Sequence, residues 1–393
     1  MRTPVSSACY LARAAIVIAV FVPTPQLAFS QQAATPSFED LAARAQALLD
    51  SKPAEAAALF KQALALQPAW AEGWLYCGAA LYQVDRYAEA TDAFRKGIAL
   101  APGKGAGWAF LGLAEAELDN SDQAIADMRK GEELGLGSNW QFEVAVRVKA
   151  AQVLVRLSSF DEALSQLVPL SQRNENSAEV QQTMGLCALA VPQAISELSP
   201  ERRAVVALAG KAAWDLVSQR PTEAAAEYRE LLDRYPNQPG VHYAFGLYWM
   251  ETDLAAAFAE FRREVEINPQ HWPALILIAS MHTRKGDTEA AIQSLRQAMK
   301  AMPTRYRWLG HAELGRTHLT AGNLDAAITE LETAERLMAS NAQVHFILSQ
   351  AYRRAGRKAD AQRETAEFEK QKVQQDPLGV PAMRPFTFGG DKK

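Results

Sequence analysis

Histidine is the side chain best placed to bind metal or move a proton near neutral pH, and this chain has six. His311 and His318 stand seven residues apart, which puts them on one face of a helix. No Cys or carboxylate sits around them at fixed ligand spacing, so no metal site is expected. The patterns His-Glu-x-x-His, Cys-x-x-Cys and Gly-x-Ser-x-Gly do not occur. Gly103-Lys104-Gly105-Ala106-Gly107 lacks both the spacing of a phosphate loop and a preceding strand, and is read as a turn. Acidic pairs abound as they do on any solvated helix. The sequence therefore predicts no catalytic residue, no cofactor and no enzymatic activity.

The elements that would position any site follow from a repeat. Trp74 and Trp108 are 34 residues apart, as are Gly78 and Gly112, Pro68 and Pro102, Pro269 and Pro303, Gly322 and Gly356, and Ala327 and Ala361. Ala56, Ala90 and Ala124 form a series at the same interval, and Phe60, Phe94 and Met128 form another. Within each period apolar residues recur at helical spacing, as in Ile292, Leu295 and Met299. Each unit divides into a first helix that ends near Gly or Asp and a second that ends before Pro, which cannot extend it. Gly and Ala at close-approach positions let the two helices pack tightly. No unit has a core of its own, so neighbours must stack.

Trp, then Leu-Gly, on a first helix, with Ala, an aromatic four residues later and Pro on the second, resembles the tetratricopeptide repeat family. The residues that carry the likeness are Trp74, Gly78, Ala90, Phe94 and Pro102; then Trp108, Leu111-Gly112, Ala124 and Met128. In the second half they are Gly246, Ala257, Phe261 and Pro269, and Leu314-Gly315, Ala327 and Leu331. The resemblance covers most of residues 37–375. It implies an all-α fold of antiparallel helix pairs stacked in a right-handed superhelix, with first helices lining the concave face. His242, His311 and His345 fall where Trp74 and Trp108 sit, and can replace them with a hydrogen-bonded tip.

Arg2 and Arg13 precede the apolar run Ala14–Val22, which ends at Pro23, and Ala28 and Ser30 suit a signal peptidase. Residues 1–30 are expected to be a signal peptide cleaved after Ser30, which makes the mature chain periplasmic or secreted. Its net charge falls from −4 to −6 with the loss of two Arg. A near-balanced charge and a pI near 6.0 argue against nucleic acid as the partner. No later segment is apolar enough to span a membrane. Cys77 and Cys187 are read as buried free thiols. Residues 31–190 are expected to form a first array, 191–200 a joint, 201–375 a second array with a polar capping helix, and 376–393 a disordered tail.

The resemblance places ligand-facing positions on the concave side of each first helix. Here they include Leu75, Tyr82, Leu113, Tyr243, Leu247, Ile276, Arg284, Arg316, Phe346 and Arg353, apolar through the middle and basic toward the C-terminal end. A non-catalytic protein- or peptide-binding scaffold or assembly factor of the cell envelope is the implied function. The rival readings are a small-molecule or glycan-binding module that stacks its ligand on Trp74, Trp108 and Tyr82, and a regulatory subunit of a separate enzyme. The oligomeric state does not follow from the sequence.

Overall fold

The computed structural model describes residues 36–375, so the expected leader and tail lie outside the described residues. The described residues form nineteen α-helices and no strand. Those up to Val180 make one compact unit and those from Gln181 another.

The first unit holds α1 (Phe38–Leu48), α2 (Pro53–Leu66), α3 (Ala71–Tyr82), α4 (Tyr87–Leu100), α5 (Gly105–Glu117), α6 (Ser121–Leu134), α7 (Trp140–Arg156) and α8 (Phe160–Gln172). Ser37 and Asn139 cap α1 and α7 by accepting the Asp40 and Phe142 amides, and Pro53 opens α2, where its missing N–H costs nothing. α1 pairs with α2, α3 with α4, α5 with α6 and α7 with α8. One hydrophobic core runs from α1 to α7. Phe60 stacks on Tyr76 at 5.8 Å, Phe94 on Phe110 at 5.6 Å, and Phe110 meets Phe142 at 4.4 Å. Each buried Phe contributes roughly 1.5–3 kcal/mol.

The second unit holds most of α9 (Ala178–Ala188), then α10 (Pro200–Val217), α11 (Pro221–Arg234), α12 (Val241–Trp249), α13 (Leu254–Ile267), α14 (Trp272–Lys285), α15 (Thr288–Ala301), α16 (Arg307–Ala321), α17 (Leu324–Leu337), α18 (Ala342–Arg354) and α19 (Lys358–Gln375). Ser199, Asp253, Asp287 and Asn341 cap helices here. The expected grouping put residues 181–190 with the first array. The contacts that place them in the second unit are close and made by backbone: a Cβ on Gly185 would overlap the Val206 carbonyl, and one on Gly210 the Gln181 carbonyl. Residues 195–197 form a 3-10 turn before α10.

One packing device recurs in both units. A Cβ on Gly78 would lie 2.5 Å from Phe94, on Gly112 2.6 Å from Met128, on Gly246 2.5 Å from Phe261 and on Gly315 2.5 Å from Leu331. The first helix thus brings bare backbone against the large residue of the second. In most repeats the turn between the two helices contains a left-handed residue. Gly286, Gly322 and Gly356 supply it in the last repeats, whereas Asp85, Asp119, Ser158 and Gln219 adopt positive φ earlier in the chain. Gly105 and Gly107 belong to the first turn of α5 rather than to the turn before it, with Gly105 set against the Gly131 and Gly135 carbonyls. Among the described residues no helix is long and apolar enough to cross a membrane.

Candidate functional site: the first-helix face of each unit

First helices of successive repeats touch through side chains one repeat apart. In the first unit the Tyr82 hydroxyl on α3 donates to Glu117 Oε1 on α5 at 3.2 Å, and Lys149 on α7 pairs with the same oxygen at 2.5 Å. In the second, the Thr283 and Thr317 hydroxyls of α14 and α16 meet at 2.8 Å, and Arg354 of α18 donates to the Leu319 carbonyl of α16 at 2.5 Å. This closeness decides what the face can offer.

Leu75, Leu113 and Tyr82 are buried, Tyr82 at 5% exposure. Burial, with the Glu117 charge beside it, pushes the Tyr82 phenol up, so it stays a neutral donor. Tyr243 is also buried. Its ring lies 4.6 Å from His271 and 5.9 Å from Phe261, and its amide donates to Glu264 Oε2 at 3.4 Å. Leu247 and Ile276 are half-buried. Arg316 is partly exposed and 3.4 Å from Glu313. Arg284, Arg353 and Phe346 are exposed, Phe346 at 38% with one side against Phe368 at 5.3 Å. The accessible part of the second unit's face is therefore basic with one aromatic. The first unit's expected residues are packing elements of a tight inner turn.

Trp74 and Trp108 are half-buried, and each indole N–H donates to the carbonyl six residues back, Pro68 and Pro102, at 2.9 Å. The same bond is made by histidine. His242 Nε2 reaches the Pro236 carbonyl at 2.9 Å and His345 Nε2 the Ala339 carbonyl at 2.8 Å. A carbonyl only accepts, so Nε2 carries the proton. The ring's other nitrogen then faces a carboxylate on the second helix. Nδ1 of His242 is 2.6 Å from Glu260, that of His311 2.6 Å from Glu330 and that of His345 2.8 Å from Glu364. At His345 a second acid approaches, with Glu335 Oε1 4.0 Å from Nδ1. Burial lowers the His345 pKa, but its bonds to Ala339 and Glu364 and the two negative charges outweigh that and raise it.

Sequence reasoning missed these acids because each lies on a different helix from its histidine. The recurring interval of 18 or 19 residues from His to Glu, visible at His242, His311 and His345, was the available signal. It missed Glu264 for the same reason. That fully buried carboxylate accepts the Gly240 amide at 2.8 Å and so caps α12 from α13. Burial raises its pKa, against the pull of the two amides it accepts. Beside it His271, pushed down to about 4 by burial, stays neutral and caps its own helix through Nδ1, which accepts the Ala274 amide at 3.3 Å.

Known protein structures and family models are similar to parts of the chain. No curated protein matches the chain. Among solved structures, MamA residues 41-end from Desulfovibrio magneticus RS-1 is similar at 18% identity, covering 45% of this chain and 98% of that one, with a TM-score of 0.39. Pseudomonas aeruginosa pilF is similar at 17% identity, covering 44% and 78%, with a TM-score of 0.41. The Cut9-Hcn1 hetero-tetramer of the APC/C is similar at 16% identity, covering 84% and 78%, with a TM-score of 0.35. Family models match two stretches, residues 42–105 in the first unit and residues 282–345 in the second, and both are described as tetratricopeptide repeats. The chain thus carries tetratricopeptide repeats in each of its two units.

Proposed function

We propose that this protein is a non-catalytic protein-interaction scaffold of the cell envelope that holds a partner segment on the first-helix face of its second unit. The observation that carries the reading is the exposure of Arg284, Arg353 and Phe346 on first helices whose other expected contact positions are buried or half-buried. Phe346 and Arg353 are seven residues apart and share one helix face. An extended or helical segment with acidic residues beside an apolar one fits that surface. The apolar contact supplies affinity and the charges orient it. Stacking of a small molecule or glycan finds less support, because Tyr82 is buried and the indoles of Trp74 and Trp108 are tied to backbone carbonyls. Export rests on the charge, apolar run and small residues of positions 1–30.

The test is affinity capture from envelope extract with the wild-type chain and with an R284E/F346A/R353E variant, followed by titration of the purified partner. All three changes fall on exposed side chains, so the helices should persist. A partner whose affinity falls at least tenfold in the variant supports the proposal. Equal capture by both chains removes this face from the account.

A further inference from the structure

The His345 cluster differs from its two counterparts in a way that an ion pair does not require. His242 and His311 occupy the same repeat position, and each faces one carboxylate at 2.6 Å. His345 faces two, Glu364 on α19 and Glu335 on α17. We propose that Glu335, His345 and Glu364 form a divalent transition-metal site of the zinc class, with His345 Nδ1 and one oxygen of each carboxylate as ligands.

Geometry supports the assignment. His345 is 2% exposed, and its Nε2–H is held by the Ala339 carbonyl. A neutral ring in that tautomer presents the Nδ1 lone pair to both acids. An N–H donated to a backbone carbonyl is also the outer bond by which metal-bound imidazoles are oriented. Nδ1 is 2.8 Å from Glu364 Oε2 and 4.0 Å from Glu335 Oε1, and the three ligand atoms lie within 4.8 Å of one another. Tetrahedral zinc with bonds of roughly 2.0–2.2 Å sets its ligands about 3.4 Å apart. Glu364 has to retreat slightly and Glu335 to advance, and the Glu335 side chain, 32% exposed, has room to turn. Arg363 Nε binds Glu364 Oε1 at 3.2 Å, which occupies one oxygen and leaves Oε2 for the ion. Two carboxylates and a neutral imidazole carry two negative charges, which a divalent ion matches. Imidazole with carboxylate is a ligand set for zinc-like ions rather than for Ca²⁺. A fourth position on the Glu335 side can take water. The ion would join α17, α18 and α19, and so fasten the capping helix to the last repeat.

The test is calorimetric titration of Zn²⁺ into the untagged full chain near pH 7.5, with Glu335→Gln, Glu364→Gln and Glu330→Gln beside it. The site predicts one zinc per chain, at least a ~10-fold loss of affinity in E335Q and in E364Q, and wild-type affinity in E330Q. Zinc should raise the melting temperature of the wild type more than that of E335Q at the same zinc concentration. Absence of stoichiometric zinc binding overturns the proposal and leaves a proton as the occupant of Nδ1. Wild-type affinity in E335Q, or an equal loss of affinity in E330Q, overturns it as well.

Discussion

The left-handed turns and the glycine contacts of the second unit permit a graded test of the packing account. Gly322 has φ 85°, and a Cβ there would meet nothing within 4 Å. Gly322→Ala therefore changes only the backbone preference. Left-handed backbone costs an L-residue about 1–2 kcal/mol, and the restricted unfolded chain returns about 0.4–1 kcal/mol. The net loss should be roughly 0.5–1 kcal/mol. Gly240 has nearly the same φ, 86°, but its Cβ would overlap the Leu189 carbonyl oxygen. Backbone cannot rotate away as a side chain can, so overpacking of about 1–3 kcal/mol adds to the strain. Gly240→Ala should then cost about 2–4 kcal/mol, several times the effect of Gly322→Ala. Gln219, at φ 59°, supplies the opposite sign, with Gln219→Gly stabilising by roughly 0.5–1 kcal/mol. Urea denaturation followed by far-UV circular dichroism reads all three variants, with midpoints compared if the repeats unfold in steps. Gly240→Ala as mild as Gly322→Ala would refute the claim that residues 181–190 pack on the start of α12.

Two further outcomes follow from the sequence and from burial. N-terminal sequencing of the exported chain should begin at Gln31, and a chain that retains Arg2 and Arg13 in the envelope would contradict cleavage. Cys77 is buried, and burial pushes its thiol up to about 11. It should react with a thiol reagent only after denaturation, and rapid modification in the folded protein would show that α3 is not packed as described.

Much of the fold was legible in the residues themselves. The 34-residue interval placed Gly78 and Gly112 on first helices and the family resemblance placed Gly246 and Gly315 there, and each of them meets the large residue of its second helix. Histidine at the tryptophan position was legible too, since ring N–H groups of both types reach the carbonyl six residues back. What stayed hidden depends on distances between helices. Leu75, Tyr82, Leu113 and Tyr243 sit at positions that face a ligand only if successive first helices stand apart. Here they touch, and those residues are buried. The edge of the second unit was hidden because Gly185 and Gly210 carry no periodic signal of their own pairing. Glu335 and Glu364 were hidden because a polar position on a second helix reads as solvated surface until its neighbours are known.

The central claim is that the accessible basic and aromatic part of the second unit's first-helix face holds a protein partner. The most direct measurement is the dissociation constant of a purified captured partner for the wild-type chain and for R284E/F346A/R353E, with circular dichroism confirming equal helicity. The account predicts at least a tenfold weaker complex for the variant, and a wild-type complex that weakens as salt rises and screens its charge attraction while the charge-reversed variant does not. Equal affinities in two equally folded chains would contradict it.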